Sequence, residues 1–459
     1  VGRASLFGSQ DAAFAKLDNT EGVIHVNINK SSFSKLGVGG LVALTSVAGT
    51  VYGCSSSSPS PTPPTETPDS STPDATMTPP GMDAGSDAMM MTTPPADGGD
   101  AGEGGTAGVL QKVTQTNLFA DTDAGGAMHV DPNLLNSWGL AFNPSGIAWV
   151  ADNHAGVLTL YKANQATPVP LVVQVPLPSD AGAVYPPLDG STLAAPTGQV
   201  FNAAAAVPDA GTTGDFMGDL FIVAAEDGTI SGWNQSLTDT TKAMLRVNNA
   251  VAGAVYKGLA IIPSTPPILV AADFHNGKIA AWDASYAPVT IASGKWTDPS
   301  VPTGYAPFNV FASGTTVYVS YAKQDAAKMD DTAGAGNGQV SVFDQSGTLM
   351  KTLIGQGTPT LNSPWGMNIV PSGGFGSVPA GALLVGNFGD GAIHAHDATT
   401  GKLLATFANS GGTPLTINGL WGLVWGPNAP EAGASPDQLY FTAGPNKEMN
   451  GLFGYLTAQ

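Results

Sequence analysis

Acidic and amide side chains recur in this 459-residue chain just after short apolar runs. Asp152 and Asn153 follow "AWVA", Glu226 and Asp227 follow "LFIVAA", and Asp273 follows "ILVAA". Asn387 and Asp390 come after "LLVG", and Asn446 and Glu448 after "LYFTAG". A longer stretch, 322–338, holds Lys323, Gln324, Asp325, Asp330 and Asp331. Oxygen donors drawn from several segments are the chemistry of a hard cation such as Ca²⁺, which takes roughly six to eight of them. Asp152, Glu226, Asp273 and Asn387 occupy corresponding positions and form the expected cation set. Asn153, Asp227, Asn309, Lys323, Gln324, Asp325 and Asp390 are the matching candidates for contact with a charged ligand. The competing reading is turn chemistry, because Asp, Asn and Gly are the residues that tight turns and hairpins require.

Other chemistries find less support. His394 and His396 alternate, so on a strand both face one side, but no third metal ligand is evident. "MMM" at 89–91 has no His or Cys beside it. No G-x-S-x-G elbow, zincin helix or P-loop is present. With the single cysteine, Cys54, read as part of the signal-like run and six histidines in the whole chain, Ser-His-Asp or Cys-His catalysis has little support.

The elements that must position these residues repeat. "WGLAF" (138–142), "TGQVF" (197–201), "KGLAI" (257–261), "PFNVF" (307–311), "WGMNI" (365–369) and "WGLVW" (421–425) open six units spaced about 50–60 residues apart. Each continues with a second apolar run, an acidic or amide turn, and a third run of alternating apolar residues. A fourth strand is expected at 170–177, 243–247, 288–292, 349–354 and 402–407. Four short strands per unit at this period predict an all-β, six-bladed β-propeller. The sixth unit stops after its third strand, and "QKVTQTNLF" (111–119) is expected to complete that blade and close the ring. Each Trp-Gly word then starts an innermost strand, where Gly allows close approach. The Trp is expected to pack between neighbouring blades, with a sugar-stacking platform as the alternative. The turns after the second strands fall on one face, which gathers the candidate residues at the channel mouth. The long 322–338 segment is the expected recognition loop there.

The words "VADNHAGVLTLY" (150–161) and "VAADFHNGKIAAWD" (270–283) resemble NHL-type propeller repeats. The wider set, "DPNLLNSWGLAF", "AAEDGTISGWN", "YKGLA", "GYAPFNV", "YAKQDA", "GNFGDGAI", "LWGL" and "YFTAG" with "GLFG", is similar to an uncharacterised family of bacterial exported propeller proteins. The resemblance covers about 111–456 and departs at "HAHD" (394–397), where one His replaces an apolar residue. It implies a six-bladed propeller outside the cytoplasm and no particular reaction. Calcium-dependent lactonases of the gluconolactonase type carry a similar acidic ring on six blades, an analogy at the level of fold.

Upstream of the repeats, Lys30 and Lys35 precede an uncharged run that ends at Cys54. This layout resembles a bacterial lipoprotein signal, with Gly53 before the Cys and Tyr52 as a departure. It implies lipid on Cys54, with plain secretion or an uncleaved anchor as alternatives. Ser55 favours the outer membrane, since it is not the Asp of an inner-membrane retention signal. Residues 1–25 match no targeting signal, and initiation near Val26 is expected. Residues 55–108 are Ser, Pro, Thr, Asp, Gly, Ala and Met with two Glu and no Lys or Arg, the composition of a disordered, extended stalk. The expected organisation is therefore 1–54 signal segment, 55–108 linker and 109–459 propeller.

The net charge is −19, with two arginines in the whole chain, Arg3 and Arg246. That balance excludes the basic footprint of a nucleic-acid binder. It suits cations, metals or neutral glycans. The leading expectation is a monomeric, lipid-anchored binding module for a protein or glycan, touching membrane only through Cys54. The alternative is a Ca²⁺-dependent hydrolase or lactonase at the channel mouth, and a third reading is a purely structural surface protein.

Overall fold

A computed structural model describes residues 108–180, 183–184, 192–206 and 214–459. The expected signal segment, Cys54 and the linker up to residue 107 lie outside the described residues. The described chain is all-β apart from short 3₁₀ turns and has a β-propeller fold. Among the described residues no helix is long and apolar enough to cross a membrane.

The strands follow one another in six antiparallel meanders. The first comprises Ser137–Phe142, Ala148–Asp152, Val157–Tyr161 and Val173–Gln174. The second comprises Pro196–Phe201, Phe221–Ala225, Thr229–Trp233 and Met244–Asn248. The third has three strands, Tyr256–Ile262, Ile268–Asp273 and Lys278–Trp282. The fourth comprises Tyr305–Ser313, Thr316–Lys323, Gln339–Asp344 and Leu349–Ile354. The fifth comprises Pro364–Ile369, Leu383–Asn387, Ile393–His396 and Leu403–Ala408. The sixth has Leu420–Trp425, Leu439–Ala443 and Leu452–Ala458. Strand Val109–Ala120 runs antiparallel to Leu452–Ala458, and its first residues also pair in parallel with Leu403–Ala408.

The strand expected at 288–292 is absent. Pro288 makes only an isolated bridge to Trp282, and Val289 donates one bond to the Ala281 carbonyl. Proline lacks the amide that would continue such a ladder.

The first strands of the meanders touch in sequence, and the sixth touches the first. Their apolar faces fill the gaps between successive meanders. Trp149, Phe221 and Trp233 pack between the first and second, and Leu140, Tyr161, Tyr440 and Phe453 between the sixth and first. The glycines in the repeated words are required by this crowding. A Cβ on Gly198 would lie 2.5 Å from the Leu259 nitrogen, and one on Gly366 would lie 2.6 Å from the Trp421 carbonyl oxygen. No real Cβ tolerates either distance, so these positions admit only Gly.

Each first strand shifts register against its second at the same place. The shifts fall around Trp138, Thr197, Lys257, Phe308, Trp365 and Trp421. A β-bulge re-aims the side chain at the shift. Here Trp138, Phe308, Trp365 and Trp421 converge with Phe274 in one buried cluster at the centre. The rings of Trp138 and Trp421 stack at 3.4 Å, and Trp365 meets both edge-on. This corrects the expectation that these tryptophans separate neighbouring blades. They pack on one another, and at 1–4% exposure they offer no open platform for a sugar.

Candidate functional site

The aromatic plug carries one ionic residue. Lys257 holds the bulge position of the third meander and is 1% exposed. Its Nζ lies 5.1 Å from the centre of the Trp138 ring and 5.9 Å from that of Phe274. Nζ donates to Glu226, from the turn after the second strand of the second meander. It also donates to Asp330 Oδ1 at 2.8 Å, from the long loop of the fourth. Burial alone would push the Lys257 ammonium down, but the two carboxylates outweigh it and hold it above its ordinary value. In return the Lys257 charge lowers Asp330.

An amide chain extends this pair across the mouth. Asn153 Nδ2 donates to Glu226 Oε2 at 2.9 Å. Asn136 Nδ2 donates to Asn153 Oδ1 at 3.3 Å and to Glu448 Oε2 at 2.7 Å. Trp421 Nε1 donates to Asn136 Oδ1 at 3.1 Å, tying the chain to the plug below. Glu448 arrives on a turn in which Asn446, Lys447 and Glu448 all adopt left-handed φ of 56°, 55° and 68°. Non-glycine residues there are strained by on the order of 1 kcal/mol each, a cost tolerated where position matters. Burial, then the Glu226 charge, raises the Glu448 carboxyl to about 7. The second, third, fourth and sixth meanders thus each bring one ionisable group to one point, and the first brings two amides.

The expected cation set is not gathered in this way. Asp152 is fully buried and accepts from Ser137 Oγ at 3.0 Å and Thr159 Oγ1 at 2.6 Å, within its own meander. Burial raises its carboxyl well above the usual range. Asp273, also raised by burial, accepts from the Val255 amide and from Asn276. Asn387 donates to the Thr360 carbonyl. Only Glu226 of the four reaches the centre, and the ammonium of Lys257 stands where a cation would be held. Among the described residues no group of three or more His, Cys, Asp or Glu is arranged to hold a metal ion.

The expected ligand contacts divide similarly. Asn153 joins the mouth network, and Asn309 bridges two meanders by donating to the Trp365 carbonyl at 2.7 Å. Asp227 caps Thr229 through its amide and hydroxyl, and burial pushes its carboxyl up to about 6. Lys323 is exposed, and Gln324 donates to the Phe274 carbonyl at 2.6 Å. Asp325 accepts from the Met329 amide and so shapes the loop that delivers Asp330. Asp390 accepts from Asn362 and Ala392 inside the fifth meander. His394 and His396 are buried beside Thr406 and the Gly401 carbonyl. Burial lowers both, His396 to about 4, so they are neutral packing groups at pH 7.

Lys257 and Asn136 were not among the expected site residues, while Asp330 and Glu448 were expected on the turns at the mouth but not in the cation or ligand set. A signal for Lys257 exists: it is the lone charged residue in the slot that Trp138, Thr197, Phe308, Trp365 and Trp421 fill elsewhere.

No family model matches the chain. It is similar to two uncharacterised proteins of Acanthamoeba polyphaga mimivirus. One is 29% identical over 346 residues, covering 74% of this chain and 78% of the relative. The other is 29% identical over 339 residues, covering 72% and 82%. These relatives are viral, whereas the resemblance in words pointed to bacterial proteins. Among solved structures, a luciferin-regenerating enzyme aligns over 75% of this chain and 95% of its own, with TM-score 0.42 and 12% identity. A virginiamycin B lyase from Staphylococcus aureus aligns over 75% and 99%, with TM-score 0.40 and 12% identity. At that distance neither bears on activity.

Proposed function

We propose that this chain is a propeller binding module that recognises a basic side chain of a protein partner at the mouth above Lys257. The observation that carries the reading is the convergence of Glu226 and Asp330 on one buried ammonium, with Glu448 joined to the same network through Asn136 and Asn153. Lys257 neutralises part of that charge from beneath and is itself inaccessible. What faces outward is acidic: the Asp330 side chain is 71% exposed and that of Glu226 is 20%. An acidic mouth on a chain of net charge −19 attracts cationic groups and raises their rate of encounter. The built-in ammonium does for these carboxylates what a bound Ca²⁺ would do, which favours binding over the metal-dependent hydrolase reading.

The six meanders are read as six blades closed into a ring, with Val109–Ala120 completing the last one. Its antiparallel pairing with Leu452–Ala458 and the unbroken circuit of inner-strand contacts support this. The module is held at the bacterial cell surface, on the outer membrane, by lipid on Cys54 and a stalk over 55–108. The signal-like run before Cys54 and the Pro/Ser/Thr composition after it support that placement.

Calorimetric titration of the full chain with decalysine and with chitotetraose tests the ligand class. Decalysine binding that weakens at least tenfold in Asp330→Asn supports the reading. Chitotetraose binding with the same sensitivity would replace the protein partner by a glycan.

A further inference from the structure

The inner strands run away from the Lys257 mouth, and beyond their bulges the channel opens a second time. A cavity of about 330 Å³ lies there, walled in part by Phe142, Phe201 and Phe311. No Asp, Glu, Lys, Arg or His lines it. Trp365 lines it and also belongs to the buried aromatic cluster with Trp138 and Trp421. Two residues beyond each bulge, five inner strands present Leu140, Leu259, Val310, Met367 and Leu423. The sixth presents Gln199, which is 7% exposed and lines the cavity. Neither its Oε1 nor its Nε2 has a hydrogen-bond partner. Proteins leave few buried amides in that state, and each one calls for an explanation.

The other two amides on the wall are already engaged. Asn309 donates to the Trp365 carbonyl and accepts from the Val310 amide. Asn368 donates to the Leu423 carbonyl at 3.1 Å and accepts from the Ile369 amide at 2.9 Å. Gln199 is therefore the one side-chain amide on the wall of this uncharged chamber whose donor and acceptor are both unused. We propose that this end of the channel binds a small uncharged molecule bearing a donor and an acceptor side by side, of the amide or lactam class. Its polar edge pairs with Gln199 and its apolar body lies against Phe142, Phe201 and Phe311. A charged ligand is excluded because the wall offers no counter-charge for the desolvated group. The volume sits at the lower end of the range for small-molecule sites, roughly 300–1,000 Å³. This site stands independently of the basic-ligand reading of the mouth.

The test is ligand-observed NMR and calorimetry on the full chain with benzamide, ε-caprolactam and benzoate. Both amides are expected to bind in the millimolar range, with benzoate at least tenfold weaker. Gln199→Leu matches the leucines of the neighbouring strands, should fold, and should weaken both amides at least tenfold. Should that variant fail to fold, Phe142→Trp at the rim of the same chamber must weaken them instead. Failure of both amides to bind the unaltered chain, or equal binding to Gln199→Leu, overturns the proposal; solvent alone on Gln199 would give that result.

Discussion

Lys257 and Trp365 belong to different meanders, yet Trp365 Nε1 donates to the Lys257 carbonyl at 3.2 Å while the Lys257 side chain rises to meet Glu226 and Asp330. One residue thus joins the aromatic plug to the ionic mouth. Removing its charge strands two carboxylates. Full loss of a buried pair costs about 3–5 kcal/mol, but Glu226 and Asp330 both reach solvent, which screens them. Lys257→Met is expected to destabilise the chain by about 1–3 kcal/mol in urea unfolding, with the slope unchanged. A variant as stable as the parent would make the ammonium dispensable.

Glu448 gives the mouth a pH dependence with a definite sign. Its carboxyl rises from the ordinary 4.5 to about 7 on folding. The folded state therefore holds the proton more tightly than the unfolded one. The associated stability is fully present below about pH 4.5 and is lost as pH rises through 7. Glu448→Gln keeps an acceptor for Asn136 and removes this loss. Relative to the parent, the variant should gain on the order of 2–3 kcal/mol between pH 4.5 and 8. Parallel stability curves for the two proteins across that range would contradict the shift.

Arg246 is the one arginine in the described part of the chain, and it grips a carboxylate with no exposure. Its Nε and Nη2 donate to the two oxygens of Asp219 at 2.7 and 2.6 Å, and Tyr286 and Asn234 complete the set. Breaking such a pair leaves an uncompensated buried charge. Arg246→Met should cost about 3–5 kcal/mol, read as a lowered thermal midpoint, and Asp219→Asn in the same background should restore part of it.

Strand Val109–Ala120 covers the edge of Leu452–Ala458. An uncovered edge of that length is a template for association. Deleting 109–120 from the full chain should give aggregated or poorly folded protein by light scattering. A stable monomer would contradict the role of this strand in closing the ring.

The spacing of the Gly-apolar words made the inner strands legible, because the close approach at Gly198 and Gly366 admits no other residue. The pairing of 111–119 with the last strand was legible from a missing fourth strand. The missing strand at 288–292 was not, since Val289, Thr290 and Ile291 carry the right pattern and Pro288 removes the donor. The destination of the tryptophans was hidden for another reason. Alternation along a strand places Trp138 in a gap between blades, and the register shift beside it turns the ring into the channel. At the site, equivalence of sequence position misled. Asp152, Asp273 and Asn387 share a slot with Glu226, but serine, threonine and backbone partners hold them in their own turns. Glu226 has Lys257 in reach and turns to the centre instead.

The most direct measurement is the dissociation constant of decalysine for the full chain, compared with Glu226→Gln/Asp330→Asn and with Asp123→Asn/Asp437→Asn. Each double variant removes two negative charges, and Asp123 and Asp437 are exposed acids outside the mouth network. If the mouth is the recognition site, the first pair weakens binding at least tenfold and the second changes it less than twofold. Equal effects of the two pairs would reduce the interaction to general charge attraction and leave the Lys257 network a purely structural knot.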